Sequence, residues 1–300
     1  MSHEHSHLPV NYNRAFAIGV ALNLIFVAVE VGYGVVADSL ALITDAGHNL
    51  SDVLGLLLAW GASWLATKSA TESRTYGFRK VTIMASLISA ILLLIALGGI
   101  AWEAIGRLFQ PRQVAGGIII LVAAIGVVIN TFTALLFVSG KDHDLNIKGA
   151  FLHMAADAGI SLGVVVAGIA IFYTESLWID PVVSLSIVLV ILMGTWGLLR
   201  ESINQIMDAV PEGVDTTGLQ EYLAGLENVR TIHDLHVWPL STTEIALTVH
   251  LVVCDDSLDN DFLRGIQRHL HDRFGIAHST IQVEREDPAN PCVLDRHKCI

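Results

Sequence analysis

Cysteine and charge are what this sequence has least of. Its three cysteines, Cys254, Cys292 and Cys299, all lie in the last part of the chain. They are too few and too late to form a disulfide framework, so nothing points to an oxidising compartment. Only 15% of the residues are charged, against about 25% in an ordinary soluble domain. With 53% hydrophobic residues and a mean hydropathy of +0.59, much of the chain is suited to lipid. Basic residues are the scarcer sign, 17 against 29 acids for a net charge of -12. The stretch from Asp208 onward is polar and acidic, which excludes nucleic acid as a partner. No secretory leader is expected. Met1 to Asn13 has no basic n-region, and the first apolar run is too long for a signal-peptide core.

What the sequence does have is six apolar runs of about twenty residues, the length that crosses hydrocarbon. They are Ala15–Val36, Ser39–Leu65, Val81–Ile105, Ala115–Val138, Gly149–Tyr173 and Trp178–Leu199. The loops between them are asymmetric in Lys and Arg. Arg14, then Lys68, Arg74, Arg79 and Lys80, then Lys141 and Lys148, and finally Arg200 fall on one side. Only Arg107 and Arg112 fall on the other, and the loops around Asp38 and Glu175 have no basic residue. Positive charge stays inside, so both termini are expected in the cytoplasm.

Beyond Asp208 the periodicity changes. Thr216–Leu226 reads as a short helix, and Val229–Trp238 and Glu244–Cys254 as strands. Leu258–Phe274 is an amphipathic helix with Leu258, Phe262, Ile266, Leu270 and Phe274 at four-residue spacing. His278–Glu286 alternates as a strand. The expected architecture is six transmembrane helices followed by a small cytoplasmic α+β domain, ferredoxin-like with the order α-β-β-α-β. The corresponding segments are 1–14, a cytoplasmic His-containing terminus; 15–207, the membrane domain; 208–287, the soluble domain; and 288–300, a loose tail.

Two strings inside the apolar runs carry the chemistry, His48-Asn-Leu-Ser-Asp52 and His153-Met-Ala-Ala-Asp157. Each puts an imidazole and a carboxylate four residues apart, on one face of a helix. An Asp at membrane depth with no cation beside it costs a few kcal/mol, about 2.5–3.5. Neither pair has a Lys or Arg within its own apolar run to neutralise it. A divalent cation supplies the compensation, and two nitrogens with two oxygens make a four-coordinate set that Zn2+ accepts. An all-oxygen set would suit Mg2+ or Ca2+, and no thiol lies in the spans for Cu(I). Co2+, Ni2+ and Cu2+ remain compatible with the same donors. Asp45 stands three residues before His48; it is a candidate fifth ligand, read in preference as a helix-entry group that orients an imidazole through its other nitrogen. Asn23, Asn130 and Glu103 are read as polar groups bonded to neighbouring helices or the interface.

Together with Ser39–Asp52, Tyr76-Gly-Phe-Arg-Lys80, Asn146–Asp157 and His233-Asp-Leu-His-Val-Trp238, these strings resemble the cation diffusion facilitator family, in its zinc-exporting branch. The resemblance runs from about Ala15 to Glu286. It implies a homodimer that alternates access and exports Zn2+ from the cytoplasm in exchange for protons, from an inner or plasma membrane. It implies a transport site of His48, Asp52, His153 and Asp157. It also implies a cytoplasmic metal site of His233, His250 and Glu284 near the dimer interface, and a charge interlock between Lys80 and Asp208 that matters only where the pair is partly shielded. His236 should point to the opposite strand face from His233, and Asp261 is a weak addition to that site. His269 and His271 lie off the apolar stripe and read as solvated.

The sequence departs from the family in the loop after the second span. Thr71–Lys80 has Phe78 where a His would be needed, so no loop metal site is expected. His3, His5 and His7 could gather metal, and Cys292, His297 and Cys299 match no strong zinc spacing. Two other functions compete with transport. An intramembrane zinc enzyme would need an open coordination position and a general base; no His-Glu-x-x-His string is present, so no enzymatic activity is expected. A non-transporting zinc sensor would make the soluble sites essential and the intramembrane residues dispensable.

Overall fold

The computed structural model describes residues 13–138, 145–253 and 260–285. The six apolar runs form helices α1 (Asn13–Val36), α2 (Leu40–Ala66), α3 (Val81–Phe109), α4 (Gly116–Phe137), α5 (Leu145–Thr174) and α6 (Ile179–Ile206). Five of these are long and apolar enough to cross a membrane. The sixth, α2, is 27 residues long and carries the polar residues Asp45, His48, Asn49 and Asp52. Helices α3 and α6 run past the expected ends at Ile105 and Leu199. Helix propagation does not stop where the hydrocarbon stops. It ends at local signals, before Pro111 after α3, and at Asp208 with φ 57° after α6.

The chain divides into two compact units. The first holds the described parts of Met1–Leu57 and Ser89–Gly197. Its core includes Phe26, Leu42, Leu97, Ile119, Val122, Val164 and Ile191. Outside it, Ile25, Ile95, Trp102, Leu121 and Val166 are exposed, as expected where the solvent is lipid. Helices α4 and α5 approach through glycine. A Cβ on Gly168 would sit 2.9 Å from Ile119 Cγ2 and 3.1 Å from the Ile120 nitrogen. In lipid the apolar effect does not drive helices together, so small residues that allow close backbone contact do that work. This contact fixes α5, which carries His153 and Asp157.

The start of α2 is fixed by a buried carboxylate on α6. Ser39 Oγ donates to Asp180 Oδ1 at 2.6 Å, and the Leu40 and Ala41 amides donate to the same carboxylate at 2.8 and 3.2 Å. Asp180 therefore satisfies otherwise unpaired amides and sits at the positive end of the helix dipole. Arg107, 8% exposed, holds the turn before α2 by an ion pair to Asp38 at 2.8 Å and also bonds Glu103 at 3.2 Å.

The second unit holds the described parts of Leu58–Ile88 and Leu198–Ile300. Its folded elements are α7 (Thr216–Ala224), β1 (Val229–Pro239), β2 (Ile245–Val253), α8 (Asn260–Phe274) and β3 (Ile276–Arg285). This is the expected α-β-β-α-β order. The sheet runs β1-β2-β3, with β1 antiparallel and β3 parallel to β2. Asp215 caps α7 by accepting from the Gly218 amide at 2.9 Å. Ile266 and Leu270 of the α8 stripe are buried against Leu219, Leu223, Leu247 and Leu251, with Phe262 and Phe274 partly buried. Leu258 lies outside the described residues.

Within the same unit, the segment between α2 and α3 is tied to the sheet. Arg79 pairs with Glu244, and the Thr242 amide donates to Thr82 Oγ1 at 3.1 Å. Lys80 Nζ donates to Asp208 Oδ1 at 2.6 Å, but the two side chains are 48% and 51% exposed. The shielding that would make this pair a strong lock is not there, and such a pair contributes about 0–1 kcal/mol. Lys80→Asp is expected to cost about 1 kcal/mol or less, with recovery in the swapped Lys80→Asp/Asp208→Lys protein. Denaturation midpoints of the detergent-solubilised proteins measure both.

Candidate metal centre

Residues His48 and Asp52 lie one turn apart on α2, and His153 and Asp157 one turn apart on α5. The two helices bring ligand atoms of His48, Asp52 and Asp157 within 4.8 Å of one another, with His153 beside the two carboxylates. His48 Nε2 is 3.3 Å from Asp157 Oδ1, and His153 Nε2 is 3.3 Å from Asp52 Oδ2. Along each helix, His48 Nδ1 is 3.5 Å from Asp52 Oδ2, and His153 Nε2 is 3.7 Å from Asp157 Oδ2. The two imidazoles meet edge to face with centroids 6.1 Å apart. Metal–ligand distances of about 2.0–2.2 Å put neighbouring ligand atoms of a tetrahedron about 3.3 Å apart. The cross-helix separations match that edge.

Burial is graded across the four. Asp157 is 2% exposed, His48 13%, Asp52 26% and His153 42%, so the site opens on the His153 side. His48 Nδ1 and Asp52 Oδ2 are buried with no hydrogen-bond donor or acceptor satisfying them. Polar atoms left in that condition are costly, and a cation at the centre would offset that cost.

Asp45 does not play the orienting part expected of it. Its Oδ2 accepts from Ser161 Oγ of α5 at 3.0 Å, and it is bonded to neither imidazole. Helical geometry explains the difference: three residues before His48, Asp45 lies one turn nearer the start of α2 and meets the next turn of α5. Asn23 bonds a neighbouring helix, through Met154 Sδ at 3.6 Å. Asn130 is fully buried with neither amide atom paired, contrary to the expected bond. Glu103 bonds Arg107 on its own helix instead of a neighbour.

A second cluster lies on the sheet. His233 stands opposite His250 in the β1–β2 register, with ring centroids 4.9 Å apart. Glu284 on β3 reaches both, at 2.7 Å from His250 Nδ1 and 3.5 Å from His233 Nε2. Ligand atoms of these three residues lie within 4.8 Å of one another. All three are mostly buried, at 11%, 8% and 17% exposure.

The expected orientation of His236 is overturned here. The β1–β2 register shifts between His233 and His236, so that His233 opposes His250 and His236 opposes Thr248. Three steps on β1 match two on β2, and the bulge returns His236 to the face of His233. The extra residue is absorbed at Asp234, with φ 52°, a left-handed conformation that Asp tolerates. The bend puts Asp234 3.0 Å from His236 Nε2 and 3.6 Å from His250 Nε2. Asp234 is thus a member of the cluster that strand alternation hides. Asp261 pairs with Arg264 at the surface. His269 is exposed and stacks on Tyr222 at 3.9 Å, and His271 is paired with Asp272 in solvent. His3, His5, His7, Cys292, His297 and Cys299 lie outside the described residues.

Sequence reasoning also missed Glu30, a fully buried acid on α1. Its signal was available as the one acidic residue within the run Ala15–Val36.

Comparison with known proteins matches both parts of the chain. Residues 16–207 match the cation efflux transmembrane domain, and residues 201–286 the cytoplasmic domain of cation efflux proteins. The chain is 36% identical over 285 residues to the metal cation efflux system protein CzcD of Cupriavidus metallidurans, covering 94% of this chain and 89% of that protein. It is 33% identical over 296 residues to the zinc transporter ZitB of Escherichia coli K12, covering 97% and 92%. It is 33% identical over 287 residues to a cadmium, cobalt and zinc/H(+)-K(+) antiporter of Bacillus subtilis, covering 94% and 92%. A solved structure, the metal-bound C-terminal domain of the CzcD transporter, is 34% identical and covers 24% of this chain and 99% of its own, with a TM-score of 0.22.

Proposed function

The chain belongs to the cation efflux family, and we propose that within it the protein exports Zn2+ from the cytoplasm in exchange for protons. Members of the family are multi-pass membrane transporters of metal cations, not enzymes. The observation that carries the zinc reading is the convergence of two imidazoles and two carboxylates from α2 and α5. With both His neutral and both Asp ionised, the four ligands carry a total charge of -2, which balances Zn2+. Nitrogen donors favour zinc over Mg2+ and Ca2+. The names of the relatives agree: one is called a zinc transporter and another a cadmium, cobalt and zinc antiporter.

Proton exchange follows from the ligand chemistry. Imidazole and carboxylate must be free of protons to hold the metal, so loading releases protons and unloading takes them up. A site that holds either metal or protons, and opens to each side in turn, is an antiporter. A proton gradient directed inward would drive zinc outward. The basic loops favour cytoplasmic termini, in an inner or plasma membrane, and the match to a dimerising cytoplasmic domain favours a homodimer.

Zinc flux into proteoliposomes, with and without an imposed pH gradient, tests this reading. Expected are saturable zinc uptake and its acceleration by the gradient. Zinc binding without flux would leave the sensor reading in its place.

The cluster of His233, His250 and Glu284 would serve regulation. Metal held there by facing protomers would neutralise acidic repulsion, and binding to the folded dimer adds stability by linkage. His250→Ala is expected to lower the zinc bound per protomer while leaving residual transport. Equilibrium dialysis and flux on the same preparation check this. Complete loss of transport in a folded variant would assign the essential site to the sheet.

A further inference from the structure

One helical turn from the four proposed ligands, toward the start of α2 and the end of α5, lies a second polar layer. Ser161 of α5 stands four residues beyond Asp157 and donates to Asp45 of α2, three residues before His48. Glu30 reaches the same layer from α1, where Asp45 and Asn49 are its neighbours. Glu30 and Asp45 are both 0% exposed. Of their four carboxyl oxygens, Glu30 Oε1, Glu30 Oε2 and Asp45 Oδ1 have no hydrogen-bond donor.

Among the described residues, no basic side chain pairs with these acids. On α3, Arg107 is committed to Asp38 and Glu103. On α6, Asp180 is committed to the first amides of α2. Helix α4 has no titratable residue. Besides Glu30, the charged groups that act on Asp45 are His48 on α2 and Asp157 on α5. Without a cation nearby, two ionised carboxylates are costly to hold side by side in so dry a place. A single proton turns them into a hydrogen-bonded acid and its anion, giving Asp45 Oδ1 a donor and removing one buried charge.

From this arrangement we propose that the Glu30 carboxyl is a proton carrier of the exchange cycle, separate from the metal ligands, with Asp45 as its hydrogen-bond acceptor. A proton entering after the metal has left forms an O–H bond at a Glu30 oxygen. The return of a divalent cation one turn away favours the ionised carboxylate, and the O–H bond breaks with release of the proton. No electrons move, and one proton is gained and lost in each cycle. This inference rests on the proton-exchange reading of the transporter.

The variant that tests it is Glu30→Gln in the full-length protein, which keeps the volume and the hydrogen-bonding reach but carries no exchangeable proton. Three readouts are expected. Infrared difference spectra of zinc-free against zinc-loaded wild type contain the carbonyl stretch of a protonated carboxylic acid, and Glu30→Gln lacks it. Calorimetry in buffers of different ionisation enthalpy finds about one proton fewer released per Zn2+ in the variant. Flux driven by a pH gradient falls at least about tenfold, while zinc-for-zinc exchange in the absence of a gradient persists. Asp45→Asn, which removes the acceptor, is expected to shift the same infrared band and identifies it should Glu30→Gln fail to fold.

If wild type is insensitive to the gradient, proton exchange itself is wrong. If wild type responds and Glu30→Gln responds equally with the same proton count, the proton-exchange reading stands and Glu30 is not a carrier. Loss of one bound zinc ion in Glu30→Gln would make the layer a metal stop and overturn the proposal.

Discussion

Replacing Asp157 by Ala is expected to abolish zinc transport, and Asp52→Ala to do the same. Asp157 is the most buried of the four proposed ligands and, like Asp52, reaches both imidazoles, at 3.3 and 3.7 Å. Without it, three ligands remain and their charge falls from -2 to -1, which no longer balances a divalent ion. Loss of a group that only orients a metal ligand costs about 10–100-fold in affinity, so loss of a charged ligand is expected to exceed that range. The helix pair itself should survive. Asp157 is not part of the α4–α5 glycine contact or of the Asp180 staple, and removing an acid from a membrane interior relieves a solvation cost. Flux of a folded Asp157→Ala protein into vesicles, beside its zinc stoichiometry in detergent, measures the effect. Wild-type flux in that protein would remove Asp157 from the transport site.

How much of this was legible in the sequence depends on the distance over which each feature is encoded. The helices were legible because twenty apolar residues in a row are a local signal, and their true ends were not, because α3 and α6 stop at turn residues beyond the apolar run. The meeting of His48, Asp52, His153 and Asp157 was legible because four-residue spacing fixes a helix face twice over, and two such faces with uncompensated charge have few ways to be satisfied. The sheet cluster was legible only in part. His233, His250 and Glu284 come together as the family pattern implies. Counting strand alternation from His233 to His236 gives the wrong face, because one residue of bulge at Asp234 reverses the parity of all that follows.

Other features are encoded by partners far apart in the chain. Asp180 lies 140 residues from the Leu40 amide it accepts from, and in sequence it is only an acid near the start of a span. Ser161 and Asp45 are separated by 116 residues. Glu30 looks like a tolerated polar residue in an apolar helix until burial and the absence of a donor are both known. The Lys80–Asp208 pair shows the converse. The pairing was anticipated, yet its strength depends on shielding, and the structure leaves both side chains half exposed.

The sharper test of the transport site changes a ligand without removing it. His153→Asp keeps four potential ligands on the same two helices but exchanges one nitrogen for an oxygen. His153 is the most exposed of the four, at 42%, so a shorter, more hydrophilic side chain is accommodated there without opening a cavity in the core. The donor set becomes harder and more negative, one nitrogen with three carboxylates, which moves preference toward ions that favour oxygen, such as Mn2+. The expected result is a lower zinc flux and a narrower gap between zinc and manganese, with cadmium disfavoured by loss of the softer donor. The pH response should change with it. A free imidazole titrates near pH 6.5 and a free aspartate near 3.9, so exchanging one for the other removes a group that competes with metal close to neutrality. Flux of each ion measured across pH, in wild type and His153→Asp side by side, reads both effects in one experiment. An unchanged ion profile together with an unchanged pH response would mean that His153 does not touch the transported ion, and the four-ligand site proposed for this chain would fail with it.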